Sequence, residues 1–146
     1  MEVAALVGCR RRIESRANDR AYTHGWDGSN GWEIDIEGAA AEMAYAKFRG
    51  HYWSASVGSF KGPDINDNVQ IRSTKHEGGA LIVRDDDNAD HYYVLLTGTA
   101  PRFTVRGYIQ GIFAKNETYL TAPNGRPPAY FVPQSALNPF QTKGSQ

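Results

Sequence analysis

The spacing of hydrophobic residues changes along this chain. Over 2–18, Val3, Leu6 and Val7 stand at helical spacing, with Cys9, Arg10 and Ile13 following, which predicts a helix. Residues 19–34 carry His24, Gly25, Gly28 and Gly31 and predict a loop. A second helix is predicted over 36–49. Ile36, Ala40, Met43, Ala44 and Phe48 mark its apolar face, and Gly50 stands where a C-terminal cap belongs. Beyond it the period shortens. Residues 51–60, rich in Trp and Ser, predict extended chain, and Gly62-Pro63-Asp64 predicts a turn. Residues 68–74 set Val69, Ile71 and Ser73 against Gln70, Arg72 and Thr74, the alternation of a half-buried strand. Further strands are predicted over 80–84, 91–97, 102–110 and 129–132, with an acidic turn at 85–90 and a helical turn over 133–138 opened by Pro133. Helices gathered ahead of a run of strands predict an α+β fold with a mixed or antiparallel meander.

Composition narrows the class. A chain of 146 residues has the length of one domain, 1–146, and buries about two-thirds of the surface its unfolded form exposes. No apolar run is long enough to span a bilayer, so no membrane partner is expected. The N-terminal apolar residues precede the arginines, the reverse of a secretion signal, so export is not expected either. Cys9, the single cysteine, excludes an intrachain disulfide framework and a multi-cysteine zinc site. Sixteen basic and sixteen acidic residues cancel, which excludes a strongly basic coat protein and an acidic tail protein. The cancellation hides segregation: residues 25–70 carry a net −4 and residues 101–146 a net +4. Chance along a short chain accounts for such a pattern. So does an acidic metal pocket flanked by phosphate-facing basic segments.

Two stretches hold candidate chemistry. Glu42, on the second predicted helix, has Gly38, Ala39, Tyr45 and Ala46 as its neighbours three and four residues away. Small neighbours let another element approach the carboxylate closely; the alternative is a glutamate facing water. Asp64 leads into the 68–74 strand, on which Gln70 and Arg72 share one face. A carboxylate, an amide and a cation so placed suit one polar pocket, or else a solvent-facing strand surface.

A helical acid, then Pro-Asp, then a strand bearing polar-x-basic residues resembles the PD-(D/E)xK nuclease superfamily over roughly residues 36–97. Segments Ile36-to-Phe48, Leu81-to-Asp87, Thr104-to-Ile109 and Arg126-to-Pro133 also resemble a group of small bacteriophage proteins without established function. The nuclease resemblance implies a restriction-endonuclease-like core and metal-dependent hydrolysis of DNA in the cytoplasm of an infected bacterium. Asp64 would hold Mg²⁺ or Mn²⁺, and Glu42 would assist as a second metal carboxylate. Gln70 takes the place of the second strand carboxylate, and Arg72 that of the lysine. Two departures follow. The neutral Gln70 removes an anionic ligand. Arg72 forks onto phosphate but does not accept a proton, leaving Lys61 or Lys75 to supply that group. Asp67 is an alternative ligand to Asp64. The resemblance permits a homodimer. It equally permits an inactive nuclease-fold protein that binds DNA or a host protein.

Other features carry less. His24, His51, His76 and His91 lack the spacing of a zinc pair. Cys9 reads as a small core residue, although neighbouring arginines favour a thiolate. Asp85, Asp86, Asp87 and Asp90 fit a solvated turn or a cation site. Arg12, Arg16 and Arg20 form a stripe at four-residue spacing, suited to a phosphate backbone or to plain solvent. Tyr92 and Tyr93 point to opposite faces of one strand, so at most one of them stacks on a base.

Overall fold

A computed structural model describes residues 2–17, 31–50 and 68–141. Two helices come first, α1 (Glu2–Ala17) and α2 (Gly31–Arg49). Then follow β1 (Val69–Thr74), β2 (Leu81–Val83), β3 (Tyr92–Thr99), β4 (Arg102–Gln110), the short helix α3 (Gly111–Ala114), β5 (Leu120–Thr121) and β6 (Ala129–Val132). The chain is thus α+β, and each expected strand from residue 68 onward is present. The expected extended chain over 51–60 lies outside the described residues. No described helix is long and apolar enough to cross a membrane.

The strands do not form one meander. They divide into two three-stranded sheets, ordered β1-β3-β4 and β2-β6-β5. β1 runs parallel to β3, pairing Val69 with Tyr92 through Thr74 with Thr97, and β3 and β4 form an antiparallel hairpin. Parallel neighbours need a crossover. Here β2 supplies it by leaving the first sheet to pair with β6 in the second.

These elements stack in three layers, with the first sheet in the middle. Val94 and Leu96 of β3, with Ile71 of β1, pack against Ala41, Tyr45 and Ala46 of α2. Tyr93 and Leu95, on the opposite face of β3, pack against Leu81, Val83 and Val132 of the second sheet. Consecutive residues of a strand point to opposite faces, so β3 is covered on both. Its unbroken run Tyr93-Val94-Leu95-Leu96 is the sequence trace of that position.

The helices pack closely through small side chains. Ala4 and Val7 of α1 meet Ala39 and Ala40 of α2. A Cβ added at Gly8 would stand 2.4 Å from the Cα of Ile36. This close approach selects which face of α1 turns inward. Val3, Leu6 and Ile13, conspicuous in the hydrophobic pattern, are exposed among the described residues, whereas Ala4, Val7, Gly8 and Arg12 are buried. A smooth alanine surface on α2 admits a small-residue face more closely than a Leu/Ile face.

α2 begins five residues before the predicted start. Glu33 in its first turn favours the helix N-terminus. Tertiary bonds hold the added turns: Asp35 pairs with Arg12, and Glu37 accepts a hydrogen bond from the backbone N–H of Ala100 at 2.9 Å. The far end matches expectation. Gly50, at φ 66°, closes the helix by donating to the carbonyl of Lys47.

Residues 134–136 form the expected helical turn, with Pro133 just before it. The chain then returns to the first sheet, where Tyr108 and Asn138 exchange backbone hydrogen bonds of 2.9 and 2.8 Å. Phe140 lies 5.8 Å from Tyr45 and 4.8 Å from Tyr108 between ring centroids, tying this segment to α2 and β4.

The helix contact gives a prediction whose sign opposes helix propensity. Gly→Ala within a free helix stabilises by about 1 kcal/mol. At Gly8 the added methyl meets backbone, so Gly8→Ala is expected to destabilise the fold by about 1–3 kcal/mol in urea unfolding. A stabilised variant would contradict the close approach.

Candidate functional site

The expected site residues fall in two places. Glu42 sits on α2 facing α1 and is 5 % exposed. Arg11 forks onto it, Nη1 to Oε1 at 2.6 Å and Nη2 to Oε2 at 2.8 Å. The small neighbours of Glu42 therefore do admit another element, and that element is α1. Beside this pair, Arg12 Nε lies 3.5 Å from Asp35 Oδ2. Burial pushes the Asp35 carboxyl above its ordinary range, with Arg12 and then Arg11 pulling it back.

Gln70 and Arg72 lie on the other side of the first sheet. They flank Ile71, which faces α2, so their side chains leave β1 on the opposite face. Arg72 Nη1 donates to Gln70 Oε1 at 3.1 Å, so these two do come together, as their shared face implies. Arg72 Nη2 reaches both carboxylate oxygens of Asp87 at 3.1 Å, and the guanidinium lies 5.3 Å from the Tyr93 ring centroid. The expected convergence of Glu42 with Gln70 and Arg72 is therefore not formed: a sheet layer separates them. Asp64, the alternative Asp67, and Lys61 lie outside the described residues.

The phosphate-facing arginine stripe also changes. Arg12 is 5 % exposed, because its face of α1 packs on α2 and its guanidinium pairs with Asp35. It does not present a charge to solvent. The side chain of Arg16 and all of Arg20 lie outside the described residues.

Asp87 organises the site, and it stood out in the sequence only as one acid among four. Its Oδ2 also accepts the backbone N–H of Arg84 at 2.8 Å, which folds the acidic turn back onto its own start. Lys115 closes the turn from outside by donating to the carbonyls of Asp85 and Asp87. Asn88 accepts the N–H of Asp90 at 2.8 Å and gives its carbonyl to the Tyr93 hydroxyl at 2.9 Å. Asp85 and Asp86 face solvent, as a solvated turn requires, whereas Asp87 is 9 % exposed. The one local signal for Asp87 was its position three residues after Arg84, the reach of a carboxylate that closes a turn.

The described residues do not by themselves make up the Mg²⁺ or Mn²⁺ site that the nuclease resemblance implies, whose principal ligand, Asp64, lies outside them. The carboxylate beside Gln70 is already held by Arg72, and Glu42 is on the far side of a sheet. Among the described residues no group of three or more His, Cys, Asp or Glu is placed to hold a metal ion.

A cleft of about 420 Å³ lies where β1 and β2 form the edges of the two sheets. Arg72, Arg84 and His76 line its polar side, and Ile82, Leu95 and Phe131 its apolar side. Among the described residues the Arg84 guanidinium makes no hydrogen bond; the bond of that residue is through its backbone N–H. Burial and the charge of Arg72 press the Arg84 pKa below the ordinary arginine value, against the opposing pull of Asp87 and Asp86. Compared with known proteins, the chain matches no protein-family model, no curated protein and no solved structure.

The charge network predicts unequal costs for two acidic residues. Asp87→Ala removes a buried partner from Arg72 and a turn-closing acceptor from Arg84, and is expected to cost about 2–4 kcal/mol in denaturant unfolding. Glu77→Ala breaks the Arg106–Glu77 pair, in which the glutamate side chain is 90 % exposed, and is expected to cost under about 0.5 kcal/mol. Equal losses would contradict the organising role of Asp87.

Proposed function

We propose that this protein binds DNA without hydrolysing it. The observation that carries the reading is the placement of Glu42 with Arg11 on one side of the first sheet and of Gln70 with Arg72 and Asp87 on the other. Two-carboxylate metal catalysis needs its ligands around one point. Among the described residues Glu42 is instead held by Arg11 and Asp87 by Arg72.

The DNA part of the reading rests on charge. The net charge of +4 over residues 101–146 includes Arg102 and Arg126, both exposed. Phosphate-tracking cations give affinity that falls as salt rises. Tyr92, half-buried and 6.2 Å from Tyr108 between ring centroids, is the tyrosine of the Tyr92-Tyr93 pair available for stacking, since Tyr93 is fully buried.

The test combines binding with cleavage. Fluorescence anisotropy with single- and double-stranded DNA is expected to show affinity that falls about tenfold or more between 50 and 200 mM salt. Plasmid, linear and branched DNA are expected to stay intact with Mg²⁺ or Mn²⁺. Metal-dependent cutting lost in Asp64→Ala would overturn the reading and restore the metal-dependent nuclease. Absence of DNA affinity at low salt would overturn it in favour of a host-protein partner.

A further inference from the structure

We infer that the cleft between β1 and β2 is a binding site for a nucleoside phosphomonoester. The cleft is amphipathic in a way that matches this chemistry. One wall carries the guanidiniums of Arg72 and Arg84 with the His76 ring beside them, and the other is apolar, formed chiefly by Ile82 and Phe131. A phosphate joined to a flat base presents the same two halves. The volume of about 420 Å³ lies in the range of small-molecule sites and holds one nucleotide, not a duplex.

The two arginines have different duties. Arg72 is neutralised by Asp87 and held by Gln70, so it is a fixed donor whose charge is already balanced. Arg84 feels the charges of Asp86 and Asp87 but is not forked onto either. Its backbone is fixed by Asp87, and its guanidinium lines the cleft with no hydrogen bond among the described residues. A half-buried guanidinium beside another cation is favoured by an incoming dianion, which a planar fork receives through two parallel hydrogen bonds. Thr74 adds a hydroxyl on the Arg72 face of β1, although it also accepts the backbone N–H of His76.

The loop that bears His76 is anchored to the sheet below. Gln134 donates to the carbonyls of Glu77 at 2.7 Å and Gly79 at 3.0 Å, and Gly79 donates to the carbonyl of His76 at 2.9 Å. The 76–79 loop is thus held in place before a ligand arrives, which lowers the cost of binding.

This site does not rest on the DNA reading, because a free nucleotide and the phosphorylated end of a nucleic acid offer the same group. The experiment follows backbone amide NMR shifts of the full chain while dTMP, thymidine, inorganic phosphate, and a short single-stranded oligonucleotide with or without a 5′-phosphate are added. Shifts of Gly79, Ile82 and Arg84 are expected with dTMP. Thymidine and phosphate alone are each expected to bind at least about tenfold more weakly. Arg84→Gln is expected to lower dTMP affinity at least about tenfold, with Arg84→Lys recovering part of it. Arg84 closes its turn through its backbone, so both variants are expected to keep the melting temperature of the parent. If the 5′-phosphorylated oligonucleotide shifts the same amides and its unphosphorylated form does not, the site takes strand ends; if dTMP alone does so, it takes free nucleotides. Either result supports the phosphomonoester site. No dTMP-induced shift at these amides, or equal dTMP affinity in the folded Arg84→Gln variant, would overturn it, whatever the protein does with DNA.

Discussion

One carboxylate, that of Asp87, joins the first sheet to the second at their open edge. It takes both contacts from Arg72 Nη2 on β1 and the backbone N–H of Arg84 just after β2. Without it, two guanidiniums would face each other at the mouth of a cleft, and burial would make their repulsion costly. With it, one arginine is a neutralised structural donor and the other keeps a guanidinium with no hydrogen bond among the described residues. Function at this edge therefore begins with an ion pair that is itself structural.

The second constraint is the close approach of α1 to α2. The alanine run of α2 and Gly8 of α1 bring the helices so near that charged groups at their border are enclosed. Arg11–Glu42 and Arg12–Asp35 are the consequence. Enclosure disfavours charge, as the raised Asp35 carboxyl shows, and the arginines offset it. Glu42 is thus a partner in helix packing, while the polar groups of β1 serve the opposite face of the same sheet.

Local features of this chain were legible because local physics decides them. The strand at Val69–Thr74, the glycine cap at Gly50 and the turn at 134–136 follow from side-chain period and turn chemistry. The shared face of Gln70 and Arg72 followed from strand geometry alone. What escaped the sequence depends on distant partners. β1 lies beside β3 because β2 departs to a second sheet, and nothing within residues 69–83 reveals that exchange. The apolar stripe of α1 pointed to Val3 and Leu6, but the inner face was chosen by the shape of α2. Glu42 read as a site acid because its small neighbours signal an approaching element, and they do not say which one. Asp87 lay unmarked in a run of three aspartates, since only its burial against Arg72 separates it from the others.

The central claim is that Glu42 and Arg72 act on opposite sides of the first sheet. Double-mutant cycles in urea unfolding test it most directly. Arg11→Ala with Glu42→Gln is expected to show a coupling of about 1–3 kcal/mol, and Glu42→Gln with Arg72→Ala a coupling within about 0.3–0.5 kcal/mol of zero. A Glu42–Arg72 coupling as large as that of Arg11–Glu42 would contradict this separation and return both residues to a common site.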